Sequence, residues 1–137
     1  MSFTHTLENK ILDHIFGGEP FARPAMLQVG LSLTEIQDDG SGITEPDAEA
    51  GYERVLISND STTWQAAETD NEEGQGVKTN AISIQFPEPT EEWGMVTHFF
   101  LADGELLLGH GTLCQPVTIH AGMVAQFNPG ELVITLD

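Results

Sequence analysis

The chain has 137 residues, enough for one domain of ordinary size with a real core and too few for two full ones. It carries 22 acidic side chains against four basic ones (Lys10, Arg23, Arg54 and Lys78), for a net charge of −18. That balance excludes direct contact with nucleic acid or anionic membrane surfaces, both of which need Lys and Arg to neutralise phosphate. No apolar run approaches the roughly 18 residues that span a bilayer, and the first residues lack the basic-then-apolar layout of a signal peptide. Cys114 is the single cysteine, so no internal disulfide forms, which fits synthesis in a reducing cytoplasm.

In chain order, Leu7, Ile11, Leu12, Ile15 and Phe16 recur with helical spacing. Thr4 or Thr6 is placed to cap the start, Gly17-Gly18 to end the run, and Pro20 and Pro24 to prevent its resumption. Residues 1–19 are therefore expected to form a helical arm, ahead of a β-sandwich domain over residues 20–137. In "MLQVGLSL" the period changes to two, with Leu27, Val29, Leu31 and Leu33 on one side of a half-buried strand. An acidic, Gly-rich stretch over 35–50 reads as a solvent-facing loop, "YERVLI" as a strand, and 58–80 as a polar loop region with one short strand around Trp64.

The C-terminal half is more regular. "AISIQF" places Ile82, Ile84 and Phe86 on one face, and "MVTHFFLAD" is apolar enough for a central strand. Asp103-Gly104 marks a hairpin turn. "LLLGHGTL" and "CQPVTIH" read as the next two strands, with Pro116 at a break or an edge. "MVAQF", the turn "NPGE" and a closing "LVITL" complete the pattern. Strands every 8–12 residues define an all-β, antiparallel sandwich, jelly-roll-like or a small barrel, with a short N-terminal helix.

Chemistry-bearing residues are sparse. His98, His110 and His120 lie on separate strands but lack the tight spacing of metal ligands. Cys114 has histidines nearby in sequence but no Gly-rich elbow around it, so it reads as a small apolar residue rather than a nucleophile. "DDGSG" and "TDNEEG" offer oxygens without the calcium-loop pattern. Trp64 and Trp93 are the side chains a carbohydrate-binding module would use, although core packing is the simpler role for each. No catalytic residue, metal ligand or cofactor is expected. The amphipathic arm, short enough to be marginal alone, offers Phe3, Leu7, Ile11 and Ile15 as a partner interface.

One set of motifs is distinctive. Gly30-Leu31 closes the first strand and Gly51-Tyr52-Glu53-Arg54 opens the second. "FPEPTEEWGMVTHF" runs from Phe86 through Trp93-Gly94 to Phe99, and "PGELVITL" closes the chain. From about residue 26 onward this order resembles a family of small tailed-bacteriophage virion proteins, described variously as decoration or cement, minor head or "tail fibre" proteins. The chain departs from the usual pattern after Leu101, where a tight "ADGE" replaces a longer insertion. The resemblance implies a non-enzymatic sandwich on the capsid exterior, made in the bacterial host cytoplasm, often a homotrimer and bound to the major capsid protein. A tail, neck or fibre position is the alternative. The motif residues Tyr52, Arg54, Phe86, Trp93 and Gly94 are expected to be structural.

Overall fold

The computed structural model describes residues 1–136. The longest strands form a hairpin, β7 (Gly94–Asp103) with β8 (Leu106–Ile119), closed tightly at Gly104-Glu105 as the sequence implies. β2 (Met26–Ser32) pairs with the other side of β7, so β7 is central, and β3 (Val55–Ser58) extends the sheet beyond β2. At the opposite edge the two residues of β1 (Ser2–Phe3) pair with β8, giving the order β1-β8-β7-β2-β3. Against this five-stranded antiparallel sheet pack two small ones. In the first, β5 (Gly76–Thr79) lies between β4 (Glu68–Thr69) and β10 (Val133–Leu136); in the second, β6 (Ile84–Gln85) pairs with β9 (Gln126–Phe127). The main core lies between the layers. Leu27, Val29, Leu31, Val96, Phe99 and Leu101 come from the large sheet, and Ile84, Phe86 and Leu132 from the other side.

Several expectations need correction. β2 is not half-buried: Gly30 and Ser32, on its second face, are also inaccessible. The reason is the 35–50 segment, which is acidic but not simply solvent-facing. It folds over the outer face of the sheet and sets Ile36 and Ile43 against Phe100, Ala102 and Leu107 in a second small core. The "AISIQF" strand shrinks to two residues, with Ile84 and Phe86 buried and Ile82 exposed. The 58–80 region contains β4 and β5, which sequence spacing did not separate, and Trp64 makes only an isolated bridge to Asn80. "LLLGHGTL" and "CQPVTIH" are not two strands but one, β8, with an interruption inside it. Val96 pairs with Val117 and His98 with Thr112, so Leu113–Pro116 face a single residue of β7. This four-residue bulge accommodates Pro116, which has no N–H for a ladder.

Gly30 explains the Gly-Leu motif. It pairs with Phe100 across the β2–β7 ladder, and a Cβ at Gly30 would lie 2.1 Å from the ring's Cζ. The fully buried ring lies flat over the glycine backbone, with the Arg54 guanidinium 4.9 Å from its centroid on the solvent side. Gly30→Ala is therefore expected to destabilise the fold by about 1–3 kcal/mol through overpacking. Adding Phe100→Leu should recover part of that loss in a double-mutant cycle. Strictly additive denaturation midpoints would refute the close approach as the cause.

Candidate interaction site

The motif residues converge on one knot below the sheet. Trp93, 3% exposed, donates its indole N–H to the Ala50 carbonyl at 3.0 Å. Its ring stands edge-on to Tyr52, with centroids 5.3 Å apart, and Tyr52 stacks on Phe86 at 6.3 Å. Gly94 has φ +93°, a left-handed value that an L side chain seldom adopts, and its open side meets only Leu33 at ordinary contact distance. Its role is thus the sharp turn into β7, not room for the Trp ring. Beside the knot, Arg54 binds Glu45 through Nε and Nη2 at 2.9 and 3.0 Å, and Tyr52 donates to the same carboxylate at 2.8 Å while accepting from the Leu31 amide. Arg54 also reaches the Gln28 side chain and the Gly104 carbonyl. Tyr52, Arg54, Phe86, Trp93 and Gly94 therefore tie the 45–54 segment to both layers.

The Glu45 cluster has a pH signature. Partial burial disfavours the carboxylate, but the Arg54 and Tyr52 hydrogen bonds outweigh it and hold the Glu45 pKa below its ordinary value. Burial first, and then the Glu45 carboxylate, push the Tyr52 hydroxyl well up, so it stays a donor. A depressed carboxylate pKa contributes stability that is complete above the unfolded value and is lost as pH falls through the folded one. Stability should therefore drop below about pH 4. Glu45→Gln should flatten that acid limb in urea titrations across pH; an unchanged limb would show that the clamp contributes nothing to it.

The arm is anchored at its start. Thr4 is buried, its amide donating to the Leu108 carbonyl at 3.0 Å and its hydroxyl to that of Leu107 at 2.7 Å. The same Oγ1 caps helix α1 (His5–Phe16) at the Leu7 amide. The proposed interface residues divide accordingly. Phe3 lies half-buried in β1 opposite Gly109, Leu7 packs on the core, and Ile11 is half-buried. Only Ile15 of the four is freely exposed. It belongs instead to an outward stripe, Leu12, Ile15 and Phe16, exposed by 53, 61 and 83%. Their i, i+3, i+4 spacing makes them one continuous patch, which borders the half-buried Ile11 through Ile15 and is the outward part of the helix's apolar face.

An apolar groove of about 850 Å3 lies where the β8 bulge stands off from the β9–β10 layer. Leu113, Val117, Val124, Phe127 and Val133 line it, with Glu131 at hand and Cys114 exposed on the bulge. Sequence reasoning missed this groove, because it depends on which strands meet across the layers. The other candidates do not assemble. His110 pairs with Asp38 at 2.8 Å, His120 with Glu92 at 2.9 Å, and His98 with the Thr97 hydroxyl. Among the described residues no three His, Cys, Asp or Glu side chains cluster to hold a metal ion. Trp64 is buried with its N–H on Asn59, so neither indole presents a face for stacking on a sugar.

The comparison with known families places this antiparallel β protein among the small virion proteins of tailed phages. More narrowly, residues 2–135 match the family described as podophage GP4 fiber I protein gp80, and the chain belongs to that family. A comparison with curated proteins finds no match.

Proposed function

We propose that this protein is a non-enzymatic structural subunit of the phage particle, carried on or within a fibre, and that it works by binding other virion proteins. The observation that carries this reading is the family match across nearly the whole chain, to proteins described by their place in a fiber. The geometry supports it: the groove and the outer helix stripe suit protein docking, and the aromatic knot supplies a rigid frame. No cofactor enters the proposal.

Decoration of the head is a second reading, favoured by the decoration or cement label that some members of the resembled family carry and by the acidic surface, which would repel packaged DNA. In that case the chain would bind the major capsid protein from outside as a homotrimer, stabilising the assembled shell by mass action. Copy number separates the two. A calibrated stained gel of purified particles should give tens of copies or fewer, with antibody label at fibres. Hundreds of copies and label over the head would replace the fibre reading with decoration. Absence from particles would defeat both.

A further inference from the structure

We propose that the outward stripe of α1 docks in the apolar groove of a second copy, joining molecules head to tail. The contact requires only self-association, so it stands whether the protein sits on a fibre or on the head.

Three observations lead there. First, both surfaces are apolar and open on the same chain, yet they do not meet within it. Helix α1 contacts the turn-proximal half of β8, where Thr4 is fixed to Leu107 and Leu108. The groove lies at the other half, beyond Thr112, and no residue of the arm lines it. The helix is also held downstream, since Asn59 donates to the Pro24 carbonyl at 2.8 Å just before β2. It cannot swing into its own groove without giving up β1, the Thr4 bonds and that tie.

Second, the groove accepts side chains better than backbone. An added strand needs an unbroken row of N–H and C=O groups along the β8 edge. Here the bulge interrupts that row over Leu113–Pro116, and Pro116 supplies no donor. Apolar side chains at i, i+3 and i+4 on a helix need no such row, and that is the spacing of Leu12, Ile15 and Phe16.

Third, charge permits it. Two copies at −18 repel, but residues 1–23 carry three acids (Glu8, Asp13, Glu19) against two bases (Lys10, Arg23), and so only −1 of the total. The arm, and the stretch 106–130 that supplies much of the groove and carries no Asp, Glu, Lys or Arg, are parts that approach each other at low electrostatic cost. Among the described residues, Glu131 is the single acidic one lining the groove. A contact between two different patches is heterologous, so repetition closes a ring when the rotation allows.

Cys114, exposed on the bulge and lining the groove, gives a direct test. Phe16→Cys is a surface change at an 83% exposed position and should leave the fold intact. Under mild oxidation the variant should form covalent oligomers on a non-reducing gel, and Phe16→Cys with Cys114→Ser should lose them. Linkage that persists without Cys114 would mean a helix-to-helix contact and overturn the proposal. In parallel, Phe16→Asp (helix stripe) and Val124→Glu (groove rim, 40% exposed) should each be monomeric by light scattering. Mixed together, each retains the surface the other lacks, and they should form a one-to-one dimer. A wild-type protein that stays monomeric at millimolar concentration, or a mixture that fails to pair, would assign the groove to a different protein and refute the self-contact.

Discussion

Trp93→Ala is expected to lower stability by about 3–5 kcal/mol, the range for deleting a large buried aromatic. The ring fills space between Tyr52 and the core, and its N–H satisfies the Ala50 carbonyl at the end of the short 3-10 turn Ala48–Ala50. Its loss leaves a cavity and removes one of the two donors to that carbonyl. The Thr90 amide also donates to Ala50, so the 88–93 segment is fixed to that turn twice. Urea denaturation followed by near-ultraviolet circular dichroism would show the midpoint shift, and Trp93→Phe should recover part of the volume but not the hydrogen bond. A variant with the wild-type midpoint that instead fails to bind its partner would make Trp93 a contact residue.

Asn80→Ala should cost about 2–4 kcal/mol, from a residue that no motif marked. Asn80 is wholly buried. Its side-chain amide donates to the carbonyls of Ile82 and Asn128 at 2.8 and 3.0 Å, and its Oδ1 accepts from the Leu132 amide at 2.9 Å. Its own carbonyl accepts from Gly130. One asparagine thus satisfies both sides of the "NPGE" turn and fixes β10 beside β5. Alanine takes the partner from three backbone groups, the buried Leu132 amide and the part-buried Ile82 and Asn128 carbonyls, each worth roughly 1 kcal/mol or more. Hydrogen exchange at the Leu132 amide is the sharper readout: protection should fall there first. Undiminished protection at Leu132 with an unchanged midpoint would remove Asn80 from this role.

What the sequence made legible follows from the range of the interactions involved. The helix, its Thr4 cap and Gly17 stop, the central position of β7 and the tight turn after it all rest on local periodicity and turn chemistry. The Trp93-Gly94 motif was readable as architecture because Pro87 and Pro89 had already ended one strand before it. The rest depends on partners far apart in the chain. Nothing in "KTNAIS" announces that Asn80 will meet residues 128 and 132. The acidic composition of 35–50 concealed Ile36 and Ile43, which cover the outer face of the sheet. Helical spacing grouped five apolar residues of the arm together, but only packing separates the inner pair, Leu7 and Ile11, from the outer stripe. The groove itself has no local signature, since its walls come from β8 and from the last fifteen residues.

The bulge at Leu113–Pro116 has one more consequence. Those four residues lie opposite a single β7 residue, so they stand largely outside the ladder bonding that the rest of β8 shares with its neighbour. Exchanges or small insertions from Cys114 to Pro116 reshape the wall of the groove without opening the hairpin, whereas Leu113 also packs on the core. On the docking proposed for the groove, the frame and part of the contact surface lie on separate residues, so a lineage could change what it attaches to while paying little in folding stability.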